Sequence, residues 1–249
     1  VLKPPWDRTE GEGTMQVSQT HVRSGSYSLY MYQKAPPKSE KERRSHMKEF
    51  GSSLQMNEGY FSWWIYYDSQ FAEDNPDWGP VLGGWQLWWG PTATGPTYMW
   101  WNGGRFGIER TNKKFKFSYG WGKMGGVPDF DADAKATGHN WYLNYYSTDY
   151  IGQWIHLQVY FKLGQASDGI VRAWFNNVLV AEKTGITTDP RGYSSWTNNP
   201  VDGGGCTWRG ECENDGFPNL TVELYQGTNS YENWLWVDDV VASITKVSE

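Results

Sequence analysis

Short runs of β-branched and aromatic residues recur along this chain, each closed by Gly, Asn, Pro or Asp, and helical periodicity is nearly absent. A chain punctuated this way buries apolar surface only by pairing strands. The pattern predicts strands near 14–17, 27–32, 44–50, 60–67, 81–89, 97–102, 105–110, 115–119, 154–163, 169–175, 178–184, 220–225 and 234–243. In FNNVLV, Asn176 and Asn177 separate two apolar runs, the signature of a two-residue hairpin. Many short antiparallel strands point to an all-β jelly roll, a two-sheet sandwich. With no linker and no repeat, 1–249 reads as one domain, long enough to bury a core without staples. Two stretches, 120–150 and 185–218, read as long irregular segments that wall a cleft on one sheet.

The side chains carried by these strands narrow the function. There are 17 Trp and 16 Tyr, more than a core of this size needs. Flat rings with a polar handle suit ligand faces, and sugar rings are the first ligand to consider. The net charge of −6 argues against nucleic acid as a partner. No apolar run is long enough to span a membrane. Cys206 and Cys212, in CTWRGEC, can close a small loop as a disulfide, and no His or second Cys pair nearby favours zinc instead. With the sequon at Asn219-Leu-Thr221, a disulfide fits an exported protein, and the Val1 start fits a mature or trimmed form.

Three strands carry the candidate chemistry. In ERRSHMKEF, alternation places Arg44, His46 and Lys48 on one face. The stretch RFGIERTNKKFKF, with Arg105 and Arg110, is basic too, so an acidic protein gathers cations on a few strands, as a site for an anionic ligand requires. A structural explanation by pairing with Glu42, Glu49 or Glu109 stays open. In VLGGWQLWWGP, Gln86 and Trp88 share a face opposite Trp85, Leu87 and Trp89; Gln86 is either bonded to a neighbouring strand or aimed at a substrate oxygen. In LTVELYQG, Glu223 and Tyr225 share a face, and a cation nearby would make Tyr225 an acid or base. His156, Gln158, Tyr160 and Lys162 alternate in WIHLQVYFKL and read as a solvent-facing side. No nucleotide loop, zinc-protease motif or serine-hydrolase elbow is present. Asp238 and Asp239, with Glu10 or Glu12, are the weak candidates for a structural Ca²⁺; a turn-capping acidic pair is the simpler reading, and the chemistry requires no cofactor.

The order of these elements resembles the concanavalin-like jelly-roll polysaccharide lyases, glucuronan lyases above all, and more distantly heparin and alginate lyases. The resemblance runs through HVRSGSYSLYMY, RRSH, YFSWWIYYDSQF, VLGGWQLWWGP, GQWIHLQVYFKLGQASDGIVRAWFNNVLVAEKTG, ELYQG and WLWVDDVVAS. It implies β-elimination on a uronate polymer, with His46 and Gln86 near the substrate carboxylate, Arg44 as an electrostatic aid and Tyr225 as the proton-handling phenol. Lys48, Trp88, Trp89, Trp101, Arg105, Arg110 and Trp121 are the expected sugar contacts. One departure stands out: several relatives place a His about two residues after the Gln, where this chain has Trp88 and Trp89. Two alternatives therefore remain: a carbohydrate-binding module that does not cut, and a glycoside hydrolase acting on a glucan or xylan through carboxylates paired in space. The expectation is a secreted monomer acting on an acidic polysaccharide.

Overall fold

The computed structural model describes residues 8–11, 13–33, 42–48, 56–69, 80–89, 99–109, 112–124, 139–164, 167–186, 205–206, 212–213, 219–227 and 232–247. In 8–11, 42–48, 86–89, 99–102, 120–124, 139, 205–206, 212–213, 219 and 225–227 the description is of the backbone. The strands are β1 (Arg8–Gly11), β2 (Thr14–Ser18), β3 (Ser28–Gln33), β4 (Glu42–Lys48), β5 (Glu58–Tyr66), β6 (Val81–Trp89), β7 (Met99–Ile108) and β8 (Lys114–Met124). They continue as β9 (His139–Tyr146), β10 (Trp154–Lys162), β11 (Gly169–Phe175), β12 (Val178–Ile186), β13 (Gly205–Cys206), β14 (Cys212–Glu213), β15 (Asn219–Gly227) and β16 (Asn233–Ser243), with a 3₁₀ turn at Ser147–Tyr150.

Alternation sorts these strands into two layers. A front sheet runs β1-β4-β15-β6-β7-β8-β9, and a back sheet runs β12-β11-β10-β5-β16-β3-β2, all pairs antiparallel. Phe61, Trp63 and Ile65 of β5 and Leu157, Val159 and Phe161 of β10 point inward from the back sheet. They meet Trp85, Phe106, Phe117, Leu220, Val222 and Leu224 from the front, all essentially inaccessible to water. Each such side chain contributes roughly 1.5–3 kcal/mol by leaving water. The expected jelly roll is the fold observed.

Several elements depart from the sequence reading. Gly103-Gly104, the break between the strands expected at 97–102 and 105–110, lies inside the single strand β7. Here glycine makes room for rings rather than a turn, since a Cβ on Gly104 would sit 2.7 Å from Phe117 Cζ and 2.8 Å from Trp85 Nε1. The irregular segment expected over 120–150 contains the end of β8 and all of β9. Within β9, Leu143 packs into the core and Tyr142 stays exposed, an alternation masked by its Asn and His content. The Asn176-Asn177 hairpin is present, with φ of 46° and 64° at its two central residues, as a type I′ turn requires.

The side of β10 expected to meet solvent is instead covered. His156 and Gln158 are each 1% exposed. The His156 ring stacks on Trp64 at 4.7 Å, its Nε2 lies 2.6 Å from Ser62 Oγ, and its Nδ1 lies 3.0 Å from Asn177 Oδ1. Gln158 donates to the Val247 carbonyl at 3.1 Å, so the C-terminal segment closes over this part of the back sheet.

Gly84 leaves no room for a side chain against the neighbouring strand β7. Its φ is +151°, and a Cβ there would lie 2.0 Å from the Gly104 carbonyl oxygen. Gly84→Ala is expected to destabilise the fold by at least about 2 kcal/mol through backbone strain and overpacking, seen as a lower denaturant midpoint. An unchanged midpoint would show that β6 and β7 can separate without cost.

Candidate active site on the front sheet

Because Leu220, Val222 and Leu224 face the core, Thr221, Glu223 and position 225 lie on the outer face of the front sheet. The ladder carries that face across its neighbours. On β4, Lys48 is opposite Thr221, His46 opposite Glu223 and Arg44 opposite Tyr225. On β1, Arg8 is opposite Lys48 and Glu10 opposite His46. On the other side, Thr221 pairs with Gly84, Gly84 with Arg105, and Arg105 with Ser118. Lys116 and Lys114 follow by alternation along β8, between the buried Phe115 and Phe117. This face thus carries six cationic positions (8, 44, 48, 105, 114 and 116) and His46, against Glu10, Glu42 and Glu223. The whole chain has the opposite sign, at −6.

At the floor of this face sits a small polar cluster. Glu223 is 4% exposed and accepts a hydrogen bond from Thr221 Oγ1 at 2.9 Å. Arg105 Nη2 lies 3.8 Å from Glu223 Oε1. Farther along, Ser118 donates to Asn140 Oδ1 at 2.7 Å, and Lys114 Nζ lies 5.1 Å from the centre of the Tyr146 ring.

The register also decides which expected site residues lie together. Arg44, His46, Lys48, Tyr225 and Arg105 occupy neighbouring rungs. Gln86 is opposite Asn219, and Tyr225 is opposite Val81. Five positions of β6 therefore separate Gln86 from the Tyr225 rung, roughly 17 Å along the strand. Beyond Gln86 on the same face, Trp88 pairs with Trp101, which makes an aromatic end to a face whose other end is cationic. Trp89 and Trp121 fall on the opposite alternation, and Arg110 lies outside the described residues. Thr221 carries no functional mark in the sequence, and Glu223 is marked there only as the face partner of Tyr225 and as one carboxylate open to pairing in space; strand parity and the basic partners opposite are the available signal.

Other expected sites resolve as follows. Asp238 Oδ2 accepts from the backbone N–H groups of Arg23 and Ser24, and Asp239 pairs with the Arg23 guanidinium and the Ser24 hydroxyl. Asp239 has φ +46° at the irregularity in the β16–β5 pairing, so this acidic pair caps the Arg23–Ser24 turn. Among the described residues no group of three His, Cys, Asp or Glu is arranged to hold a metal. Glu12 lies outside them. Cys206 and Cys212 are direct backbone partners in the β13–β14 ladder, and no disulfide is shown. The sequon lies within β15, a strand flanked on both sides, where Thr221 is buried. Among the described residues no helix is long and apolar enough to cross a membrane.

A jelly roll with a cationic outer face on one sheet offers a surface of the sign that an anionic chain requires. Residues 3–240 match the family described as polysaccharide lyase, and the chain belongs to that family. It is similar in fold to an endo-β-1,4-glucuronan lyase from the fungus Trichoderma reesei, with 16% identity, a TM-score of 0.62 and coverage of 97% of this chain and 92% of that one. It is also similar to the alginate lyase vAL-1 from a Chlorella virus, with 10% identity, a TM-score of 0.51 and coverage of 94% and 90%. At these identities the likeness is one of fold. No curated protein matches the chain by sequence. The protein is a polysaccharide lyase, as expected from sequence.

Proposed function

We propose that the protein cleaves a uronate-containing polysaccharide by β-elimination on the front sheet and does so outside the cell. The supporting observation is the reversal of charge: a chain of net −6 places six cationic positions on the face that also carries Tyr225 and His46. The proton beside a uronate carboxylate is weakly acidic, and its removal develops negative charge on that carboxylate. Arg44, Arg105 and His46 are suited to stabilise this charge. Tyr225 takes the proton, the bond to the glycosidic oxygen breaks, a carbon–carbon double bond forms, and the phenol returns a proton to the leaving oxygen. Arg44, opposite position 225, favours the phenolate that starts the cycle. Gln86, Trp88 and Trp101 then hold sugars some distance from the bond being broken. A polymeric substrate, too large to enter a cell intact, supports action outside the cell.

The test is a panel of acidic and neutral polysaccharides followed by ultraviolet absorbance of unsaturated uronates and by reducing ends. Both signals should rise together on one acidic polymer. Reducing ends without absorbance would mean hydrolysis and would refute elimination.

A further inference from the structure

The outer face of the back sheet, on the far side of the molecule from the cationic face, carries a line of rings that the cleavage reaction does not use. Tyr30 of β3, Trp236 of β16, Tyr66 of β5 and Trp154 of β10 are successive cross-strand partners. At about 4.8 Å per strand the four span roughly 14 Å. Tyr32 and Trp234 form a second rung beside them. Ring centres along the line are 5.0 Å (Tyr30 to Trp236), 5.9 Å (Trp236 to Tyr66) and 5.4 Å (Tyr66 to Trp154) apart, with interplanar angles of 46°, 73° and 49°. His21, from the segment joining β2 to β3, stacks on Tyr66 at 4.2 Å and meets Trp236 edge-on at 4.4 Å.

The polar groups around these rings indicate what they would hold. Trp234 Nε1 donates to Asp68 Oδ1 at 2.8 Å, and the Asp68 side chain is 42% exposed. A hydrogen bond from the Tyr32 hydroxyl to the Glu232 side chain pushes the phenol up to about 12. Arg23, a basic residue that flanks the line, is committed to Asp239 and lies over Trp64, and His21 Nε2 lies 3.8 Å from Asp68 Oδ2. The rim therefore presents carboxylates that accept from hydroxyls and repel uronates, the reverse of the front sheet. The rings are tilted against one another and form no flat plane, which suits one twisted chain in solution rather than a crystalline surface.

We propose that this face is a second carbohydrate-binding site, which takes a single soluble chain of a neutral polysaccharide by stacking pyranose faces on Tyr30, Trp154 and Trp234, with Tyr66 between them covered by His21. It tethers the enzyme to neutral material lying beside its acidic substrate. The proposal rests on the polysaccharide-lyase reading only for the reason such a tether is useful.

Affinity electrophoresis of the whole protein through gels containing hydroxyethyl cellulose, uronate-free arabinoxylan or galactomannan provides the test. At least one of these should retard the protein. Trp154→Ala and Trp234→Ala should each weaken retardation about three- to tenfold, the worth of one aromatic stack. Both variants should keep the parent's rate on a soluble acidic polymer, which also reports that they fold. No retardation by any neutral polymer would overturn the proposal. So would retardation that Arg105→Ala removes and Trp154→Ala does not. Concentration-dependent self-association abolished by Trp154→Ala, with no retardation, would make the face a contact between copies and overturn it equally. If elimination fails on every acidic polymer while retardation persists, the cleavage reading falls and this one stands.

Discussion

Tyr225→Phe is expected to lower kcat by about 10³-fold or more on the acidic polymer while leaving retention on that polymer measurable, as removal of a group that transfers the proton requires. The substitution deletes one oxygen and keeps an aromatic ring suited to a strand, so β15 should stay in place between β4 and β6. The register makes the prediction specific. Tyr225 lies opposite Arg44, one rung from the His46–Glu223 pair, so the substitution removes the phenol from the Arg44 rung alone. Gln86 lies five positions of β6 away from the Tyr225 rung. Gln86→Ala should therefore raise KM and leave kcat within about tenfold, the pattern of a group that binds a neighbouring sugar. Turnover of Tyr225→Phe within about tenfold of the parent would remove this residue from proton transfer. A Gln86→Ala loss as large as that of Tyr225→Phe would mean that the substrate carboxylate sits at the other end of the strand.

Much of this was legible in the sequence because strand alternation is a short-range property. Val81–Trp89 and Gly169–Phe175 coincide with their expected bounds, and the face shared by Arg44, His46 and Lys48 follows from parity alone. What alternation cannot supply is the neighbour across the sheet. Glu223 became prominent only when β15 was found between β4 and β6, with Arg105 reaching it from β7. The wide separation of Gln86 from Tyr225 is likewise a property of register, invisible in either strand by itself. Glycine misled for a similar reason. In Gly103-Gly104 it marks the close approach of Phe117 and Trp85 rather than a turn, and those partners are distant in sequence. His156 misled because a polar residue on a strand face reads as solvated until Trp64, Ser62 and Asn177 are seen to enclose it. The excess of tryptophan, finally, divides between the two sides of the sandwich: Trp63 and Trp85 in the core, positions 88 and 101 on the front face, Trp64, Trp154, Trp234 and Trp236 on the back.

Glu223→Gln separates attraction from alignment. Glu223 is an anion on a face that gathers cations, so its removal should strengthen the pull on a polyanion and lower KM. Its carboxylate also accepts from Thr221 and lies 3.8 Å from the Arg105 guanidinium, which it holds toward the sheet floor. Without that charge Arg105 loses one of the contacts that align it, and a preorganised donor is worth more than one that must reorient. The expected result is a kcat lower by about 10–100-fold with KM unchanged or lower, a combination that loss of binding cannot produce. Arg105→Ala should do the opposite to KM, raising it, and should flatten its dependence on salt because one cation of the face is gone. In the double variant the two effects should fail to add, since each side chain acts through the other. If Glu223→Gln lowers only the melting temperature and leaves both kinetic constants alone, the carboxylate is a support for β15 and Arg105 is aligned by other means. A KM that rises in Glu223→Gln would show instead that the carboxylate meets the substrate directly, accepting from a sugar hydroxyl at the floor of the cleft.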